Sequence, residues 1–421
     1  MSRIIKENIY FTLSILFYKY LVDLTYIVVQ ERFEYAGLFK IMQSYDSSLL
    51  SWGLLLLSIP LIRKAFQEDS LSAKVIAVLY LISVVPTISI IGFRSDYSVE
   101  YILLISLYWL VFIGLWNFLP KIIIFSSNVK SLKFLYLVLF ILTITVLYIS
   151  GKYTNFHLQT DLFNVYEQRA SAREFDISGL LTYIWLLSDN ILPFSVVYLI
   201  HKKKYMLAIL IAIVVYINFS ITATKQIIAL LALGVFGYFF YRYISKVKYL
   251  LILFSFVLVL SLVETMLSNT YLINTLFPYR ILFIPAELHH SFFMFFSVNP
   301  HDYFAQSFLR SFIESDYDRP IAFLLGEFSI NDITARANNG LFSDAYQNLG
   351  LIGVFVMPIF TVIYLKALDG ASLYHDNRLF FVLTLYAGFV LLGIPLSTAL
   401  ISSGLLGLLF LLYLLPKDNT R

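Results

Sequence analysis

Arg169 and Arg173 lie four residues apart in a polar stretch running from Asn164 to Gly179, so on a helix their guanidinium groups share a face. Two planar forks side by side suit a diphosphate, because each donates two parallel hydrogen bonds to phosphate oxygens. The plainer alternative is pairing with Glu167, Glu174 and Asp176 on a solvated helix. Lys225, in the short turn Ser220-Ile-Thr-Ala-Thr-Lys-Gln226, opens an apolar segment. A lysine at a helix N-terminus costs stability unless an anion is near, or unless it snorkels to the membrane interface. A longer polar break, about Asn269 to Ala345, carries Arg280, Arg310, Arg319 and Arg336 and no lysine. Of these, Arg280 has the strongest claim to chemistry, and the other three are expected mainly to hold the loop together.

The same break supplies candidate acids and bases. His290, beside His289, has a side chain whose ordinary pKa suits proton transfer near neutrality, and Glu287 and Asp344 are the carboxylate candidates for the same role. Zinc is not expected, since no i, i+4 partner or cysteine accompanies the histidines. Asp316-Tyr-Asp318 has the spacing of a divalent-ion element, but acidic loops produce it by accident, so no metal and no cofactor is expected. Tyr279 to Phe296 is too apolar for an ordinary loop and reads as an interfacial or re-entrant helix, with Arg280 at its polar end. With a second amphipathic patch, Tyr303 to Ile313, it is expected either to floor a pocket for an isoprenoid tail or simply to pack on its neighbours. Asn338, Asn339 and Gly340 form a turn, and Ser343 or Asp344 is expected to cap the next helix. Asp344 and Asn348 share a face of that helix. Gly350 and Gly353 permit close helix approach, which packing alone explains.

The elements that must position these groups are membrane helices. The chain of 421 residues is 60% hydrophobic, 18% aromatic and only 13% charged, with a mean hydropathy of +0.81. A water-soluble core cannot hide that much apolar surface. A window of about 20 residues finds about twelve spans, near 9–29, 47–64, 73–92, 100–119, 133–150, 178–200, 205–220, 225–241, 249–267, 346–366, 379–394 and 397–415. The expected fold is therefore all-α, one polytopic integral membrane domain over 1–421. A medium outer loop, 151–177, lies between spans 5 and 6, and a large one, 268–345, between spans 9 and 10.

With the N-terminus inside, Arg63-Lys64, Lys202-Lys203-Lys204 and Arg242/Lys246/Lys248 all fall in short inner loops, about eighteen basic residues against about eleven outside. Both termini are then cytoplasmic, and the sequence pI of about 8.8 reflects topology rather than nucleic-acid binding. Lys19 and Asp23 interrupt the first apolar run, which has no small-residue cleavage site after it and is expected to stay in the protein. The absence of cysteine excludes disulfides and thiolate metal sites. No soluble domain is expected at either end, so the chemistry belongs at the membrane.

In this combination the chain resembles the Wzy-type polymerases of O-antigen and other oligosaccharide repeat units. The architecture is similar over nearly the whole length. Residue-level similarity is concentrated in Arg280 to Phe296, in Asn299-Pro-His-Asp with Ser307, and in Asn339-Gly340, Asp344, Tyr346, Asn348, Gly350 and Gly353. The resemblance implies a GT-C-like membrane glycosyltransferase, multi-pass in the bacterial inner membrane and independent of metal. It would move a growing glycan from undecaprenyl diphosphate onto the nonreducing end of a new lipid-linked repeat unit at the periplasmic face. Membrane lipid surrounds such a protein, and a chain-length regulator and a flippase of the same pathway are the implied partners. Arg169, Arg173, Lys225 and Arg280 would stabilise the departing diphosphate. Arg336, Asn339, Tyr346 and Asn348 complete the set expected to meet diphosphate or glycan. One departure stands out: some members carry Arg-x10-Gly in both large loops, whereas Arg169 to Gly179 is one residue short and Arg336 has no matching glycine. The rival readings are an O-antigen ligase, which uses the same donor, and a lipid-linked oligosaccharide flippase. In a flippase, Lys19, Asp23 and Asp189 would line a path; alternatively, Lys19 and Asp23 neutralise each other.

Overall fold

The computed structural model describes residues 3–34, 37–124, 131–159, 172, 175–244, 246–268 and 270–418. Helices dominate. The single β-bridge among the described residues joins Met42 and Arg94. Among the described residues ten helices are long and apolar enough to cross a membrane, which makes this a multi-pass membrane protein. The expected spans at 225–241 and 379–394 appear instead as shorter apolar helices, Lys225–Tyr241 and Asn377–Gly393.

The chain forms two compact units. The first comprises Met1–Pro120, Lys246–Lys366 and Gly388–Ser397. It contains α1 (Arg3–Arg32), α2 (Tyr45–Gln67), α3 (Leu71–Phe93) and α4 (Val99–Phe118). At its centre is α3, whose most apolar window is entirely buried. Its sequence is mostly apolar on every side, and even Lys74, Ser83, Thr87 and Ser89 are buried, so no continuous polar face turns outward. A π-helical turn, Tyr80–Val84, interrupts α3 just before Pro86, which has no N–H to donate backwards. The Tyr18 hydroxyl of α1 donates to the Leu81 carbonyl there at 2.9 Å, satisfying an acceptor that Pro86 cannot. On the other side α2 comes close: Ser51 Oγ donates to Ile88 O at 2.6 Å, and a Cβ on Gly92 would stand 2.9 Å from Ser51 Cβ.

The second unit comprises Lys121–Ser245, Ala367–Ala387 and Thr398–Arg421. Its helices include α5 (Lys133–Thr154), α6 (Gly179–His201), α7 (Tyr205–Thr222) and α8 (Lys225–Ile244). Asp189 on α6 accepts from Asn218 Nδ2 of α7 at 2.7 Å, and Trp185 Nε1 donates to the same asparagine's Oδ1 at 2.7 Å. Asp418 binds His201, Lys202 and the Asp376 amide, which ties down the stretch after Leu414.

The long break belongs to the first unit and is largely helical. After α9 (Val247–Leu267), the stretches Leu272–Asn274, Thr275–Phe283 and Ile284–Phe296 follow one another as α10. Glu264, near the end of α9, accepts from the amides of Leu272, Ile273 and Asn274 at 2.8, 2.9 and 3.2 Å. A carboxylate there satisfies three orphan donors and meets the positive end of the helix dipole. The apolar face of α10 is packed inward, with Phe292, Phe293 and Phe296 buried, so it is not an open floor. Tyr303 to Ile313 forms turns rather than a helix, with Tyr303 and Phe304 at positive φ. A short helix, α11 (Ile321–Ile330), follows, then α12 (Phe342–Ser372).

Gly350 breaks α12 at φ 54, ψ −134. A helix broken there leaves carbonyls of the preceding turn without amide partners. The loop fills them: Asp302 N donates to Gln347 O at 3.0 Å, Tyr303 N to Asn348 O at 3.2 Å, and Phe304 N to Asn348 Oδ1 at 2.9 Å. A Cβ on Gly350 would lie 2.4 Å from His301 Nε2, and one on Gly353 1.9 Å from Ala345 O. The two glycines therefore serve the break in their own helix and its loop, not the approach of a separate helix.

Candidate functional site

Arg94 lies in the short turn between α3 and α4, a segment that sequence reasoning passed over. Met42 N donates to Phe93 O and Ser95 N to Met42 O, at 2.7 and 2.9 Å, so the chain between α1 and α2 pins the turn from one side. Arg94 is 6% exposed. Its Nε and Nη2 each reach an Asp96 oxygen at 2.8 Å, and its Nη1 meets Glu287 Oε2 of α10 at 3.2 Å. The other Glu287 oxygen accepts from Tyr26 of α1 at 2.7 Å, while Tyr97 donates to Oε2, also at 2.7 Å. Three segments distant in sequence, α1, the turn after α3 and α10, thus meet at one buried carboxylate.

Burial pushes the Glu287 carboxyl above its ordinary pKa, opposed by Arg94 and the two tyrosine hydroxyls. Asp96 is held below its ordinary value, chiefly by the hydrogen bonds from Arg94. Burial works against the Arg94 charge, but Asp96, Tyr97 and Glu287 together hold its pKa above the usual. His290, one turn on from Glu287, stacks on Tyr97 with ring centroids 4.0 Å apart and meets Tyr101 edge-on at 4.9 Å. Half-buried, it is pushed down to about 4, by burial first and then by Arg94, with Asp96 opposing. It is neutral at pH 7 and can accept a proton. With Arg94 committed to two carboxylates, Glu287 acts as the anchor that docks α10, and His290 is the more accessible group.

A second polar cluster lies deeper. His289 Nδ1 is 2.9 Å from Ser343 Oγ and 3.2 Å from Asn339 Nδ2, and Asn339 Nδ2 also donates to Pro285 O at 2.9 Å. Burial drives His289 down to about 3. Asp344, expected to cap its own helix, does not: its Oδ2 accepts from Leu396 N and its Oδ1 from Asn348 Nδ2, both at 2.8 Å. Asp344 and Asn348 do share a helical face. Asn339, Asp344, Tyr346 and Asn348 are all at most 7% exposed. Their polar bonds hold α10, the loop and the broken α12 together, rather than opening to a large ligand. The reason is the Gly350 break, which consumes Asn348 completely.

The remaining candidates are dispersed. Arg280 is exposed, and no hydrogen bond or ion pair reaches it among the described residues. It lies in the π-helical stretch of α10, whose wider turn shifts the helical phase, so Arg280 faces outward although Glu287 is buried seven residues later. Arg336 is exposed, with its guanidinium 4.5 Å from the centre of the Phe323 ring. Arg319 pairs with Glu327 at 2.7 Å. Lys225 opens α8, as expected, but in the second unit. Arg169 and Arg173 lie outside the described residues. Asp316 and Asp318 are exposed, and among the described residues no cluster of three His, Asp or Glu side chains could hold a metal ion. Lys19 and Asp23 pair at 2.7 Å inside α1, with the ammonium 4.1 Å from the Trp52 ring centre.

Beside the Arg94 cluster the first unit holds an apolar groove of about 240 Å³ between α2, α3 and α4. Ile91 lines it, three residues before Arg94. Searches against family models, curated proteins and solved structures give no match.

Proposed function

We propose that the chain is a membrane glycosyltransferase that polymerises polyprenyl-diphosphate-linked saccharide repeat units. The observation that carries this reading is the docking of α10 onto the Arg94–Tyr97 turn, which sets a neutral, half-buried histidine at the end of helices that also enclose an apolar groove. Such a site suits a substrate with an apolar tail and a polar head. Arg280, exposed and without a protein partner among the described residues, is free to meet the diphosphate without losing an existing bond.

In the step proposed, an acceptor hydroxyl attacks the anomeric carbon and its proton passes to His290. The bond from that carbon to the diphosphate oxygen breaks, and its electron pair leaves with the diphosphate, whose new charge Arg280 stabilises. A diphosphate beside His290 favours the imidazolium and so raises its basicity when substrate is bound. The broken α12 and its buried Asp344 hold this arrangement and take no proton.

Deleting the gene and resolving surface glycans on a gel tests the reading. A single repeat unit on the acceptor core is the expected result. A core without glycan indicates a ligase or flippase, and an unchanged ladder overturns all three. In a complemented strain, Arg280→Ala and His290→Asn each reproduce the single-unit pattern at normal protein levels. Transport is the weaker reading, because Lys19, Asp23 and Asp189 are each already bonded to a protein side chain.

A further inference from the structure

Asp344 is a buried carboxylate that no cationic side chain answers. It is 1% exposed, and among the described residues no ion pair reaches it. Its two oxygens accept from Leu396 N and Asn348 Nδ2, both at 2.8 Å, the arrangement of a carboxylate rather than of a carboxylic acid. A charge taken this far out of water is expensive unless a counter-charge stands beside it. The neighbouring backbone adds to that cost. The helix Phe380–Gly393, α13, ends against the Asn339-Gly340 turn: Gly340 N donates to Leu392 O at 2.9 Å, and a Cβ on Gly340 would lie 2.2 Å from Leu391 O and 2.6 Å from Ile394 O. That end carries the negative pole of the helix dipole. Pro395 has no N–H for the Leu391 carbonyl four residues back, and the Leu396 amide, which a continuous helix would give to Leu392, goes to Asp344 instead.

Carboxylate and helix end meet at a cavity of about 10 Å³, whose lining includes Tyr108 of α4, Asp344 and Thr361 of α12, and Leu391, Ile394 and Leu396. All of these residues belong to the first unit. The volume suits one small occupant, about a single water or a bare ion. Tyr108 is 1% exposed and its hydroxyl forms no hydrogen bond among the described residues, while Thr361 Oγ1 donates to Met357 O at 3.0 Å and keeps its lone pairs. We propose that this cavity binds a single sodium ion, held by a carboxylate oxygen of Asp344, the hydroxyl oxygens of Tyr108 and Thr361, and the Leu391 carbonyl. Broken membrane helices can use their freed carbonyls for monovalent cations in this way. A water would fill the space but leave the charge unanswered. A divalent ion calls for more carboxylates than the one present. Potassium is about as large as water, in a cavity at the lower limit for one water, whereas sodium is smaller. The ion ties α4 to the entrance of α12 and the end of α13. It stands apart from the Arg94–His290 cluster, and the proposal does not rest on the polymerase reading.

The test uses purified full-length protein in detergent. Binding of radioactive sodium is measured at fixed ionic strength, with choline as the replacing cation, and thermal midpoints are read across the same titration. Saturable binding of one sodium per chain is expected, with a midpoint that rises with sodium and not with potassium. Tyr108→Phe, which keeps the ring and removes the hydroxyl, should raise the half-saturating sodium concentration about tenfold, and Thr361→Val should act in the same direction. Asp344→Asn should abolish binding; if that variant fails to fold, the two hydroxyl variants still decide. No saturable sodium binding to the unmutated protein, or equal competition by potassium, overturns the proposal and leaves a water as the occupant. Saturable binding that neither hydroxyl variant weakens places the ion elsewhere and overturns it too. These readouts need no turnover, so their failure leaves the glycan-gel test of the polymerase reading untouched.

Discussion

Glu287 shows why a buried acid in a candidate site need not be the reacting group. Its oxygens accept from Arg94, Tyr26 and Tyr97, so its removal takes from Arg94 its buried partner and from Tyr97 its acceptor, although Arg94 keeps Asp96 and Tyr26 keeps the Lys40 carbonyl. Breaking one partner of a buried ion pair costs roughly 3–5 kcal/mol. Glu287→Ala is accordingly expected to lower the thermal midpoint in detergent strongly, and Glu287→Gln, which keeps an acceptor oxygen, to lower it less. Equal, small shifts would show that the carboxylate is not the anchor. The two histidines make stability depend on pH. Folding lowers His289 to about 3 and His290 to about 4, while the unfolded chain titrates near the ordinary 6.5. Between these values the unfolded chain binds the extra protons, so stability is fully present above about 6.5 and is lost as pH falls towards 4. Thermal midpoints should fall between pH 7 and 4.5, and the fall should be smaller in a His289→Gln variant. Glu287 and His290 could be singled out from sequence because they stand in a polar break between apolar runs. Arg94, Asp96, Tyr97 and Tyr26 could not, because their relation to Glu287 spans 190 residues or more and nothing local marks it. The one local signal was Arg94-Ser-Asp96 in a tight turn between two apolar helices.

At the scale of elements, apolar runs located the helices well, because burial in lipid or protein demands the same residues at every position. Interruptions within the helices were harder to see. The π-helical turns of α3 and α10 precede or contain Pro86 and Pro278, and the effect of each depends on which neighbour satisfies the freed carbonyl. Gly350 was visible as a glycine, but its role became apparent only with His301 and the loop amides in place. The break is testable. At φ 54, ψ −134 an L residue is strained, and a Cβ there also runs into His301 Nε2. Gly350→Ala should cost about 1–3 kcal/mol for the backbone alone. Adding His301→Ala should recover only the steric part, leaving the double variant still less stable than the native chain. Complete recovery would mean that the backbone at Gly350 carries no strain.

At the scale of the whole molecule, the membrane assignment was legible because composition alone excludes a soluble core, whereas the number of spans depends on short helices such as Lys225–Tyr241 and Asn377–Gly393. Sidedness matters most for function, since polymerisation on the outer face requires the Arg94–His290 end of the first unit to lie outside. Charge bias places Arg63 and Lys64 inside, at the far end of α2 from Met42 and the turn it pins. A chain with no cysteine makes the question directly measurable, because each introduced cysteine is the only one to react. Gln67 and Arg310 are both exposed, one at the end of α2 and the other in the loop before α11. With a membrane-impermeant maleimide, Arg310→Cys should be labelled in intact spheroplasts, and Gln67→Cys only after permeabilisation. The opposite pattern would put His290 and Arg280 on the cytoplasmic face, where a repeat unit already carried across the membrane could not meet them, and the polymerase reading would fail.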